Sequence, residues 1–415
     1  MDHVLGFKCS LCGQEYSLNE IEYVCPKHGD AGNVDVVYDL PKIAKRWTKQ
    51  RLADDRDYSI WRYRPLLPIE PDSPALPLQI GWTPLYRSPR LCDHLQMPNV
   101  YVKDDGRNPT ASFKDRASAI AVVRTRELKR EIVTTASSGN AGAALAGMAA
   151  SVGQPAVIFV PQTAPEAKVA QLLMFGATVM LVKGTYDQAF DLCLEASREF
   201  GWYCRNTGYN PFTLEGKKTA ALEICEQLGW RAPDRIFVSV GDGNIISGLH
   251  KGLKDLLALG WIEKMPKIMG VQATGSAACY NAWRAHTETI TPVDAQTIAD
   301  SISVGLPRDG VRAVRAATQT GGAYLIVTDD EILDAMRVLA RQAAVFSEPA
   351  GATAYAGLVK AIQQGMAQPD ETIVVLVTGN GLKDVKSAIK AAGQAQHIEP
   401  NLDNLKSLIP NLQSK

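Results

Sequence analysis

The chain has 415 residues, enough for two to three domains and at least one large apolar core. Apolar residues make up 46% and charged residues 21%, and 44 Lys and Arg balance 44 Asp and Glu, so no basic excess points to nucleic acid or an anionic membrane. No apolar run approaches the ~20 residues that span a bilayer, and the opening MDHVLGFKCS lacks the basic and apolar stretches of a secretory signal, so a cytoplasmic enzyme for small molecules is expected.

The first recognisable element is FKCSLCGQEYSLNEIEYVCPKHGD. Cys9 and Cys12, then Cys25 and His28, form two short-spaced pairs separated by 12 residues. Such pairs each make a knuckle and together offer four tetrahedral ligands, the pattern of a structural zinc ribbon. Gly13 and Gly29 follow the pairs and permit the tight turns. The bland alternative is four thiol and imidazole groups that hold nothing. Glu15, Glu20, Glu22 and Asp30 argue against a nucleic-acid module. Cys92, Cys193, Cys204, Cys225 and Cys279 are scattered and read as buried, reduced thiols.

A helix is expected over Leu40 to Arg51. Six prolines between Pro65 and Pro84 then forbid regular helix or central strand, leaving an extended arm over the surface or between domains. From residue 100 the pattern alternates. VYVKDD, EIVTTA, AVIFVP, TVMLVK, RIFVSV, KIMGVQA and TIVVLVT are short β-branched runs, most of them followed by helical periodicity. Continuous apolar strands alternating with helices predict an α/β fold of mostly parallel sheets covered on both faces. The strand count suits two doubly wound units with a ligand cleft between them.

Ligands of such folds bind beyond the carboxyl ends of the strands. Four turns there are chemically suggestive. Asn108–Arg116 places Lys114 at a helix start, where the macrodipole disfavours its charge and suits a Schiff-base amine; the plainer reading is a solvated lysine paired with Asp115. Ser137–Gly142 offers hydroxyls, an amide and helix-start N–H groups to an anion, or is a simple N-cap. Gly241–Gly248 reads as a phosphate cradle or a tight structural turn. Thr378–Asp384 places a hydroxyl beside two glycines, which suits a donor or acceptor under a flat ring or is equally a plain turn. One lysine, one phosphate cradle, one hydroxyl gripper and one ring-nitrogen partner are together what pyridoxal phosphate needs.

NPTASFKDR, TTASSGNAGAA, VGDGNIISG, SEPAGA and VTGNGLKD occur here in the order found in fold-type II pyridoxal-phosphate enzymes, which the chain resembles over nearly its whole length. The Cys-rich start, WRYRPLLP, GWTPL and NPFTLEGKKT make the resemblance greatest to the threonine synthase family. It implies that Lys114 carries the cofactor and moves protons, that Asn140 bonds the ring hydroxyl, and that Ser137, Ser138, Gly139 and Ala141 lie near the substrate carboxylate. It also implies that Gly241, Asp242, Gly243, Asn244 and Ile245 hold the cofactor phosphate and that Thr378 meets the ring nitrogen. The implied layout is a zinc-ribbon-like segment (1–40), a discontinuous large cofactor domain (41–105 and 209–400), a small domain (106–208) and a C-terminal tail (401–415). A homodimer is implied as well.

The implied reaction converts O-phospho-L-homoserine and water to L-threonine and phosphate. The alternative is a related enzyme, a serine or threonine dehydratase or a β-replacement synthase such as a cysteate synthase. Five positions depart from the family, among them Ser138 and Ala141, which stand where Thr is common. Gly208 and Thr213 stand where a Ser and an Arg help to hold the substrate phosphate, with Lys217, Lys218, Arg205 and Arg308 as other sources of charge. Ala111 replaces a usual glycine, a change expected only to tighten its loop.

Overall fold

The computed structural model describes residues 1–164 and 166–413. Three strands open the chain: β1 (Val4–Cys9), β2 (Glu15–Tyr16) and β3 (Val34–Tyr38), an antiparallel sheet ordered β2-β1-β3. After the proline-rich arm come β4 (Leu85–Arg87) and β5 (Val100–Asp104), then β6 (Val133–Ala136), β7 (Ala156–Pro161), β8 (Thr178–Val182) and β9 (Tyr203–Cys204). The remainder supplies β10 (Arg235–Ser239), β11 (Lys267–Ala273), β12 (Tyr324–Val327) and β13 (Ile373–Val377).

These strands form two further sheets. A six-stranded sheet runs β12-β11-β10-β13-β5-β4 and is parallel except for β4, which pairs antiparallel at the edge. A four-stranded parallel sheet runs β8-β7-β6-β9. The central strands β6, β10 and β13 are buried at every residue, as continuous Val, Ile and Thr runs demand when helices cover both faces. Strand β8 lies at an edge and exposes Met180 and Leu181.

Two expectations need correction. The helix expected over Leu40 to Arg51 is two short helices, Leu40–Arg46 and Lys49–Asp54. Trp47 and Thr48 between them are extended, and Thr48 Oγ1 caps the second helix by accepting from Arg51 N at 3.3 Å. Continuing the first helix would pull the Trp47 ring from its stack on Trp261, where the centroids are 4.3 Å apart. The proline-rich arm, in turn, does not merely run over the surface. Leu66, Leu67, Ile69, Leu76 and Ile80 are buried in it, so apolar residues between the prolines anchor the arm to the main core.

The antiparallel N-terminal sheet packs against elements around both parallel sheets. Tyr23 Oη accepts from Cys204 N at the end of β9, and Arg198 reaches Asp30 at 2.5 Å. On the other side Arg312 pairs with Asp35 at 2.8 Å, and Arg315 Nη1 donates to Ser10 O at 2.5 Å.

Candidate active site

All four suggestive turns follow carboxyl ends of parallel strands, three in the six-stranded sheet (β5, β10, β13) and one in the four-stranded sheet (β6). Backbone bonds stitch them together. Phe113 N donates to Thr378 O at 2.9 Å, Asn380 N to Ala111 O at 3.1 Å, and Ser112 pairs with Gly379 as an antiparallel bridge. Lys114 therefore begins the helix Lys114–Glu127 at a point fixed against the turn after β13.

Lys114 lines a cavity with Lys217, Gly241 to Ile245, Glu348 and Thr378. Burial, then the charge of Arg205, lowers the pKa of its amine. It is not a solvated partner of Asp115, which instead accepts from Thr110 N at 2.6 Å. Asp115 is pushed up to about 6 by burial.

The turn after β10 has the form of an anion cradle. Gly243 has φ +88° and precedes the helix Asn244–Ala258, so unpaired helix-start N–H groups face the cavity end. A Cβ on Gly243 would sit 2.8 Å from Asp309 O, and one on Gly241 would sit 2.8 Å from Ile302 Cα. Side chains are thus excluded from both positions and the backbone lies open to a ligand. Lys217 Nζ donates to Asn244 Oδ1 at 2.5 Å, and Asn244 Nδ2 donates to Asp309 Oδ2 at 2.8 Å. Burial, with Arg205 and Lys114 nearby, holds the Lys217 amine well below its ordinary pKa.

Asn140 starts the helix Asn140–Ala150 and reaches across to the other sheet, its Nδ2 donating to Glu348 Oε1 at 2.8 Å. Ser138, Gly139 and Asn140 line an adjoining cavity that shares Ser301, Glu348 and Ala350 with the first. Ser137 Oγ accepts from Gly139 N at 3.2 Å, shaping this turn, and Ala141 follows on the helix. Sequence reasoning missed Glu348 as a site residue. Its carboxyl is raised to about 7 by burial, and it sits directly before Pro349, the first residue of the helix Pro349–Gln363. The SEPAGA run carried the signal: an acidic residue before an N1 proline and a small-residue helix.

The departures from the family pattern resolve differently. Gly208 has φ +81°, and a Cβ there would sit 2.7 Å from Arg308 Cβ, so a serine would require Arg308 to move. Thr213 is buried and its Oγ1 donates back to Asn210 O at 2.8 Å. Lys218 is spent on Glu215 and Asp255, and Arg308 pairs with the exposed Asp187 at 3.0 Å. Arg205 is wholly buried, and burial lowers its pKa to about 10. Ala111 does more than tighten its loop, because its φ is +63°, where an L-residue is strained. Ala111→Gly is expected to raise stability by about 0.5–1 kcal/mol, read by denaturant unfolding; a loss of stability would show that this strain is absent.

The Cys and His ligand atoms of Cys9, Cys12, Cys25 and His28 all lie within 4.8 Å of one another. Gly13 and Gly29 both have positive φ, as the two knuckles require. Leu11 N donates to Cys9 Sγ at 3.4 Å, orienting that thiol. This spacing suits one tetrahedral ion with bonds of about 2.0–2.3 Å.

Lys114, the cradle and the Thr378 turn meet around one cavity, placing an amine, helix-start N–H groups and a hydroxyl together, so the residues present fit pyridoxal phosphate. Comparison with known proteins agrees. Residues 76–379 match the model of the family described as pyridoxal-phosphate dependent enzyme. The threonine synthase of Methanocaldococcus jannaschii is 39% identical over 98% of this chain and 99% of its own. That of Methanosarcina acetivorans is 37% identical over 97% and 98%. Among solved structures, the processed form of threonine deaminase isoform 2 from Solanum lycopersicum aligns with a TM-score of 0.64 and 25% identity, covering 75% of this chain and 87% of that one. The chain belongs to the threonine synthase family of pyridoxal-phosphate dependent enzymes.

Proposed function

We propose that the protein converts O-phospho-L-homoserine and water to L-threonine and inorganic phosphate. The observation that carries this reading is the convergence of a half-buried, charge-disfavoured lysine with a helix-start phosphate cradle in one cavity, in a chain that matches threonine synthases end to end.

In this reading Lys114 binds pyridoxal phosphate covalently. Gly241, Asp242, Gly243, Asn244 and Ile245 hold its phosphate through backbone N–H groups, and Asn140 hydrogen-bonds its ring hydroxyl. When bound, the cofactor supplies an electron sink for charge developing on the substrate. The rest falls to the chain. Ser137, Ser138, Gly139 and Ala141 hold the substrate carboxylate at a helix start, which favours negative charge. The Lys114 amine, freed once the substrate's own amine takes its place and with its pKa lowered by burial, takes protons from Cα and Cβ and delivers protons to Cγ and Cα as phosphate leaves Cγ and water adds at Cβ. Thr378 meets the ring nitrogen with a hydroxyl, which unlike a carboxylic acid does not protonate it. That favours elimination and replacement over transamination.

The test is to supply O-phospho-L-homoserine, L-threonine and L-serine separately to the cofactor-loaded protein and identify the products. Threonine from the first substrate alone supports the reading. A 2-oxo acid from L-threonine or L-serine, without threonine formation, would identify a dehydratase.

The reading includes the four-part layout given above, with a large cofactor domain built on the six-stranded sheet and a small domain on the four-stranded one. It also includes a homodimer, which sedimentation would check, and a cytoplasmic location, supported by eight unpaired thiols. Cys9, Cys12, Cys25 and His28 hold a structural zinc. Metal analysis is expected to find one zinc per chain, lost together with thermal stability in a Cys9→Ser/Cys12→Ser variant. A wild-type protein that is metal-free and equally stable would refute this.

A further inference from the structure

Arg205 and Asn206 directly follow β9, at the carboxyl end of the four-stranded sheet and beside the turn that follows β6. The Arg205 backbone is fixed there, its N donating to Thr134 O at 2.8 Å. Arg205 is fully buried, yet among the described residues no carboxylate pairs with it. Nε donates to Ser118 Oγ at 3.2 Å and Nη1 to Thr207 Oγ1 at 2.8 Å, while Nη2 finds no acceptor among the described residues. The other buried arginines differ: Arg62, Arg116, Arg124, Arg235 and Arg312 each meet a carboxylate.

The neighbouring Asn206 shows the same incompleteness. Its Oδ1 accepts from Ala136 N at 2.8 Å and Thr135 Oγ1 at 2.9 Å, which fixes the direction of the amide. Nδ2 on the opposite side is buried without a partner among the described residues. The carboxylates of Asp242 and Asp115 act on this charge from a distance, but leaving a buried guanidinium hydrogen-bonded only to two hydroxyls, beside a second unpaired donor, is costly unless an anion completes the set. Two anion positions already belong to the cofactor phosphate and the substrate carboxylate. A third anion is needed by the proposed reaction, and Arg205 lies close enough to Lys114 for its charge to act on that amine.

We propose that Arg205, with the Asn206 amide, binds the phosphate dianion of the substrate and supplies the guanidinium that Thr213 does not. This rests on the reaction proposed above. A guanidinium fork suits a phosphate better than an ammonium does, because two N–H groups engage two oxygens. Its side chain comes from the end of β9, whereas Thr213 lies in the first turn of the helix Phe212–Gln227.

The experiment compares the full-length, cofactor-loaded wild type with Arg205→Met and Arg205→Lys. KM for O-phospho-L-homoserine, inhibition by inorganic phosphate, and L-threonine binding seen in the cofactor's visible absorbance are measured in parallel. For Arg205→Met, KM is expected to rise about 100-fold and phosphate inhibition to weaken comparably, while L-threonine, which lacks the phosphate, binds nearly as before. Arg205→Lys keeps the charge without the fork and is expected to fall between, which carries the test if the Met variant does not fold. An unchanged KM overturns the proposal, as does an equal loss of L-threonine binding, since that would mark a structural role. If the wild type does not turn over O-phospho-L-homoserine, the reaction assignment fails. Inorganic phosphate binding then decides for Arg205: dependence on the arginine supports the anion site, and equal binding by wild type and Met variant overturns it.

Discussion

Lys114→Ala is expected to lower kcat for threonine formation by about 10⁴-fold or more, because in the proposed reaction one amine both secures the cofactor and moves the protons. The structure leaves no obvious substitute. Lys217 lines the same cavity, but its amine is already engaged by Asn244 beside the phosphate cradle. Single-turnover assays with reconstituted variant, with circular dichroism confirming the fold, measure the effect. Activity within tenfold of wild type would show that another group carries the chemistry. Added methylamine is expected to restore part of the rate, since a small free amine can enter the vacated space and accept a proton.

Glu223→Gln is expected to cost about 3–5 kcal/mol, the scale for breaking a buried ion pair while leaving its partners charged. Glu223 accepts from Arg116 Nη1 at 2.5 Å and Nη2 at 2.7 Å, and from Lys103 Nζ at 2.7 Å, all within a fully buried cluster. Arg116 also reaches Asp105 Oδ2 at 2.6 Å. The cluster ties the helix that starts at Lys114 to β5 and to the helix Phe212–Gln227, so the same change should loosen the lysine's placement. Burial opposes ionisation of Glu223, but Arg116 and Lys103 outweigh it and hold the carboxyl down to about 2, below its ordinary 4.5. The stabilisation is therefore complete above pH 4.5 and is lost as pH falls toward 2. The gap between wild type and Glu223→Gln, measured by urea unfolding, is expected to be widest near neutral pH and to close on acidification. A gap that is small at pH 7, or that widens in acid, would contradict this.

The parallel strands were legible because their apolar runs are continuous: β7 and β11 match AVIFVP and KIMGVQA residue for residue. The short edge strand β4 and two-residue β9 were not, since neither carries a period long enough to read. The turn motifs pointed to the cavities they line because small and polar residues at strand ends have few other uses. What the sequence could not show was pairing across distance. Glu348 joins the candidate site through the cavities it lines and through Asn140, 208 positions away, which bonds to it. Ala111 reveals its strain only through its φ, and Gly208 its tight contact only through Arg308. Likewise, Arg205 was one of four candidate charges until Lys218 and Arg308 proved to be paired elsewhere.

The most direct test of the central claim is to incubate the pyridoxal-phosphate-loaded protein with O-phospho-L-homoserine in ¹⁸O-labelled water and quantify both products. The account predicts equimolar phosphate and L-threonine, with the label in the threonine hydroxyl and none in the phosphate, because the Cγ–O bond breaks and solvent adds at Cβ. Labelled phosphate accompanied by L-homoserine would mean simple phosphate-ester hydrolysis and would contradict it, as would phosphate release without threonine.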